Sequence, residues 1–167
     1  MTSPGDALNI DLGERRRSLH TPDDPDFKRF PIKAFAMDLA RLQQLLSGQG
    51  EIINGCDLSA EEAISFVESH FGQRPFCLVR DWTLLELEPC GTEYDALRTM
   101  GLEPILVYAR SVVFDSRERF NPGDWVRSSF HLSHERTGFF FTRNTLYVLL
   151  GTGTRQRITL DELLSLG

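Results

Sequence analysis

His131, His134 and Glu135 form the densest group of metal-ligating side chains in the sequence. Two imidazoles and a carboxylate suit zinc, with Glu135 able to act as third ligand or as base. Residues three apart on a strand point to opposite faces, so both rings reach one ion only if the chain bends between them. Ser133 and Gly138 permit such a bend. Two exposed hairpin histidines explain the same residues without a metal. No metal or other cofactor is expected.

The three cysteines, Cys56, Cys77 and Cys90, cannot all pair within one chain, and the sparse odd count fits a reducing compartment. Cys56 precedes a helix whose dipole would lower a thiol pKa. His70, at the far end of that helix, lies roughly 15–20 Å away at 1.5 Å per residue. A Cys77–His70 dyad with Asp81 can be drawn, yet Cys77 sits in an apolar run and reads as core. Gly151-Thr152-Gly153-Thr154-Arg155 lacks the phosphate-loop spacing and passes from strand to strand, so it reads as a hairpin turn. There is no Gly-x-Ser-x-Gly elbow. Glu86 and Glu88 alternate onto one strand face, where a sheet edge kept soluble by charge explains them more simply than acid–base work. The balance is against an enzyme.

Charge and aromatic content point to binding. Residues 51–100 carry 10 acidic and 3 basic groups, a net of -7, in a chain whose formal charge is -6. An acidic segment disfavours general nucleic-acid binding, where clustered cations replace counterions. A solvated face that aids solubility explains such a segment most simply; if it instead meets another protein of basic character, Glu61, Glu68, Glu86, Glu88, Glu93 and Asp95 are the expected contacts. A different surface is offered by Trp125, Arg127, Phe140 and Arg143, an aromatic and arginine set of the type that stacks single-stranded nucleic acid, although core and interlayer packing explains the same aromatics more simply. Phe139, Phe140 and Phe141 are consecutive, so on a strand Phe140 must face away from its two neighbours.

The elements that position these residues follow from capping and periodicity. Residues 1–31, with Pro4, Pro22, Pro25 and Pro31 among them, read as a flexible tail. An apolar pattern predicts a helix over 32–46. Ser59-Ala60-Glu61-Glu62 is a capping box, followed by an inward stripe of Ala63, Ile64, Val67 and Phe71. Residues 76–87 predict one strand, or two short ones divided at Arg80-Asp81. Thr92-Glu93-Tyr94-Asp95 resembles a weaker box and opens a helix to Met100. From Glu103 the character is β: a long run over 105–114, a turn at Asn121-Pro122-Gly123-Asp124, and strands at 125–132, 139–142, 145–150 and 155–158. Thr159-Leu160-Asp161-Glu162 caps a terminal helix. The expected fold is α+β: a helix–strand layer over 32–102 packed on a small antiparallel sheet or SH3-like barrel over 103–167, with 32–167 one unit. No apolar run approaches the ~20 residues needed to cross a bilayer, and a cytoplasmic location is expected.

The block Gly123-Asp124-Trp125-Val126-Arg127-Ser128-Ser129, with Thr142-Arg143-Asn144-Thr145-Leu146-Tyr147-Val148-Leu149-Leu150-Gly151-Thr152-Gly153, resembles a family of small uncharacterised proteins of pseudomonads and related proteobacteria, some carried by phages, plasmids or genomic islands. The resemblance covers about the last sixty residues and implies no activity. It implies mobile-element biology. Together with the acidic segment, it leads to the expectation of a non-enzymatic protein-binding module, of inhibitor or immunity type. A nucleic-acid or nucleotide binder and a small metal-dependent hydrolase are the alternatives.

Overall fold

The computed structural model describes residues 50–132 and 136–166. The expected tail, the helix expected over 32–46, and the pair His134 and Glu135 lie outside them. In chain order the elements are β1 (Glu51–Asn54), α1 (Ala60–Phe71), β2 (Phe76–Leu87), α2 (Gly91–Thr99), β3 (Leu102–Glu103), β4 (Ile105–Asp115), β5 (Val126–Arg127), β6 (His131–Leu132), β7 (Phe139–Phe141), β8 (Leu146–Leu149), β9 (Thr152–Ile158) and α3 (Leu160–Ser165).

The sheet is built around β2. On one side β2 pairs antiparallel with β4, which in turn pairs with the short β5. On its other side it has two parallel neighbours in succession: β8 along Phe76–Val79 and β9 along Thr83–Leu87. Strands β8 and β9 therefore run as one interrupted strand, bent at Gly151, whose φ of 70° suits a residue without Cβ. β7 pairs with β8, β1 pairs with β9, and β3 and β6 form a separate two-stranded ladder. Parallel pairing with both faces covered demands an unbroken apolar run. Phe76–Val79 and Leu146–Leu149 are buried at every position.

The α+β class holds, but the arrangement of the C-terminal half differs from a small antiparallel barrel. Its strands do not close among the described residues, and β8 and β9 lie parallel to β2 across the expected boundary at 102/103. Sequence periodicity cannot show which strand pairs with which, because partners far apart in the chain leave no local mark. The division expected at Arg80-Asp81 is a bend inside one continuous strand. Asp81 has φ 52°, so that Val79 and Trp82, three residues apart, face the same cluster.

Apolar residues lie on both sides of the sheet. One face carries all three helices: α1 packs through Ala63 and Val67 over Phe76, Leu78, Phe139 and Phe141. On the same face α2 and α3 pack through Leu97 and Leu163 over Leu85, Leu87, Leu106 and Ile158. The opposite face is lined by Cys77, Val79, Trp82, Val107, Ala109, Val112, Val126, Phe140, Tyr147 and Leu149. Trp82 ties β2 to the β8–β9 bend, donating its indole N–H to the Leu150 carbonyl at 3.1 Å. Gly153 lies beneath the indole, where a Cβ would come within 2.3 Å of the ring.

Candidate partner-binding surface

The outer side of the helical face is where the acidic segment collects. Helix α1 starts as its sequence dictates: the Glu62 amide donates to Ser59 Oγ at 3.2 Å, and the Ser59 amide donates to Glu62 Oε2 at 2.8 Å. These bonds hold the Glu62 carboxyl below its ordinary value, the Ser59 backbone amide contributing most. With Ala63 and Val67 turned inward, helical geometry puts Glu61, Ser65 and Glu68 on the outer stripe, and all three are exposed.

Helix α2 begins differently from its sequence reading. Cys90 occupies the cap position with no side-chain capping bond, and Thr92 Oγ1 donates instead to Glu93 at 3.3 Å. Gly91, at φ 85°, turns the chain into the helix. Leu97 is fully buried, Glu93 is half-buried and Asp95 is exposed. Glu88 is exposed just before the helix, its amide bonded to the Ile158 carbonyl at 2.9 Å. Helix α3 repeats the reciprocal capping box through Thr159 and Glu162.

The three helices thus carry Glu61, Glu62, Glu68, Glu93, Asp95, Asp161 and Glu162 against one arginine, Arg98, which pairs with Glu103. Among the described residues, no ion pair engages Glu61, Glu68, Glu88 or Asp95. Glu86 departs from the expected set. It projects from the middle strand of the sheet on the side opposite the helices and pairs with Arg155 at 3.2 Å, so it does not lie on a sheet edge.

The aromatic and arginine surface expected from Trp125, Arg127, Phe140 and Arg143 is not assembled. Phe140 is 3% exposed and Arg127 5% exposed, so neither is offered to a base. Phe140 turns into the helix-free face and stacks on His131 at 4.4 Å. Trp125 is exposed and stacks on Tyr108 at 5.9 Å, and Tyr108 lies in register with Arg127 of β5. Arg143 is exposed in the β7–β8 turn. Alternation along β7 separates Phe140 from Phe139 and Phe141 as expected, but both sets are spent on core.

A different aromatic and arginine group forms where α1 meets β7. The Arg136 guanidinium lies over Phe66 at 4.5 Å, Phe139 at 4.9 Å and Phe71 at 6.0 Å, and His70 stacks on Phe66 at 4.0 Å. The i and i+5 spacing of Phe66 and Phe71, with the alternate positions of β7, is the only sequence signal for it.

Cys77 is fully buried, and desolvation, with Asp115 adding to it, pushes its thiol up to about 12. His70 instead hydrogen-bonds the Phe66 carbonyl and Ser69, and Asp81 is exposed. No dyad is formed. Asp115 is held by Arg119, whose Nη2 and Nε donate to the carboxylate at 2.7 and 3.0 Å while Nη1 donates to Thr145 Oγ1 at 2.9 Å. Among the described residues no group of three or more His, Cys, Asp or Glu side chains could hold a metal ion. None of their helices is long and apolar enough to cross a membrane.

Fold and surface together define an α+β domain whose described residues form an open mixed sheet, a separate two-stranded ladder and an acidic helical layer. The family model described as "Domain of unknown function (DUF6957)" matches residues 54–165, more than half of the chain, and the chain belongs to that family. No curated protein and no solved structure matches it.

Proposed function

We propose that this chain is a protein-binding module that recruits a basic partner through the outer surface of α1 and α2, with Glu61, Glu68, Glu88, Glu93 and Asp95 as contacts. The carrying observation is that Glu61 and Glu68 on α1, Asp95 on α2 and Glu88 just before α2 are exposed and have no internal ion pair among the described residues. Carboxylates in that state are fully hydrated and free to meet a partner's cations, which favours fast, salt-sensitive encounter. The resemblance to mobile-element proteins supports an inhibitor or immunity-type role for the complex.

Antibody capture of the untagged chain from host lysate, followed by mass spectrometry, tests this reading. A stoichiometric partner that is lost on the combined change Glu61→Lys and Glu68→Lys is the expected result. Retention of the partner by that variant contradicts it.

A further inference from the structure

The side of the sheet away from the three helices is apolar and closed to water. Val79, Trp82, Val107, Ala109, Val112 and Val126 come from β2, β4 and β5, and none is more than 2% exposed. Side chains standing on a sheet shield one another only at their flanks, and their tips need a second layer about 10 Å above. The described residues supply little of that layer. Of the partly buried hydrophobics packed against this cluster, Ile53, Leu84 and Ile105 belong to strands of the sheet itself, and Phe120 comes from the turn after β4. His131 covers Phe140 at one end.

The chain itself holds a segment of the right kind and reach. Residues 1–49 precede the described part, which begins directly before β1, an edge strand beside β9. Ile32, Phe35, Leu39, Leu42 and Leu46 follow one another at steps of three and four, so a helix gathers them on one stripe, with Lys33, Arg41 and Gln44 away from it. A helix over 32–46 measures about 22 Å, against about 19 Å for the four strand spacings from β1 to β5. The link from residue 46 to β1 reaches about 17 Å. The span from β1 to a point one layer above β2 is about 14 Å. A second copy meeting this face would leave the stripe in water.

We infer that residues 32–46 dock as a helix across the helix-free face and make the sheet the middle of three layers. The acidic surface of α1 and α2 lies on the other side of the sheet, so this inference does not depend on the partner-binding reading.

Photocross-linking of the full chain tests it, with benzoylphenylalanine in place of Leu42 and, as control, in place of Gln44. The expected result from position 42 is an intramolecular adduct on the peptide bearing Trp82 or on that bearing Val107 and Ala109, with several-fold less from position 44. An adduct at the mass of two chains assigns the face to a second copy and overturns the inference. So does an adduct that avoids β2, β4 and β5, or no adduct at all. Hydrogen exchange of the unaltered chain gives a second readout. An isolated helix of this length is marginal in water, so amides of 36–46 that exchange at least about tenfold more slowly than an unstructured chain report docking. Leu39→Asp with Leu42→Asp removes that protection, and Arg41→Asp with Gln44→Asp keeps it. Exchange at the unstructured rate in the unaltered chain overturns the inference, whether or not the leucine variant folds.

Discussion

Gly153→Ala is the sharpest probe of how β9 meets β2. A Cβ at that position would lie 2.3, 2.4 and 2.5 Å from Cδ2, Cε3 and Cε2 of Trp82, a side chain only 2% exposed and packed in the helix-free core. The indole has to move, and its bond to the Leu150 carbonyl goes with it. Overpacking of a filled core costs about 1–3 kcal/mol. A lost buried hydrogen bond adds about 1 kcal/mol. We expect a loss near 3 kcal/mol in urea unfolding followed by far-UV circular dichroism. Gly151→Ala is the comparison, because nothing lies within 4 Å of its Cβ and only the φ of 70° opposes the change, for about 1–2 kcal/mol. In a Trp82→Leu background the Gly153→Ala loss drops below about 1 kcal/mol, since contacting residues couple by about 0.5–3 kcal/mol. Equal losses at Gly151 and Gly153, or an unchanged loss in the Trp82→Leu background, would refute the packing argument.

The remaining predictions concern single groups. Stability from the Glu62 cap is complete above the ordinary glutamate value of 4.5 and fades as pH falls through its lower folded value. The gap in urea midpoint between wild type and Glu62→Ala therefore narrows below pH 4.5, and a constant gap would count against the cap. Cys90 is exposed while Cys56 and Cys77 are buried, and the Cys77 thiol at about 12 stays protonated near neutrality. A thiol reagent at pH 8 should label one cysteine rapidly and all three only in denaturant. Rapid labelling of Cys77 in the native chain would contradict its burial. Glu118→Gly relieves a φ of 53° and should stabilise by up to about 1 kcal/mol; a Tm that falls would show that the Glu118 side chain makes a contact of greater worth.

Local signals in the sequence were reliable where a few neighbouring residues decide the outcome. The reciprocal boxes at Ser59 and Thr159 form as their spacing requires, and the Asn121-Pro122-Gly123-Asp124 turn closes with the Asp124 amide on the Asn121 carbonyl at 3.0 Å. Alternation along Phe139, Phe140 and Phe141 also held, and all three are packed in the core, the simpler expectation for an aromatic run on a strand covered on both faces. Arg127 shows the limit of such signals: its polarity suggested exposure, while β5 places it in register with Tyr108 and buries it. Thr92 failed as a cap because Gly91 set the entry angle of α2, leaving the hydroxyl to meet Glu93. Of the acidic residues singled out from the charge of the segment, Glu61, Glu68 and Asp95 stand exposed on helices. Glu86 was misplaced because the position of β2 in the middle of the sheet rests on its long-range pairing with β4 and β9.

The central claim is tested most directly by quantitative capture with three full-length baits in parallel. One is wild type, one combines Glu61→Lys, Glu68→Lys, Glu88→Lys and Asp95→Lys, and one carries Glu86→Gln on the opposite face. The account predicts a partner at one-to-one ratio on wild type and on Glu86→Gln, weakened by added salt and absent from the four-site variant. The same partner held equally by all three baits would contradict it.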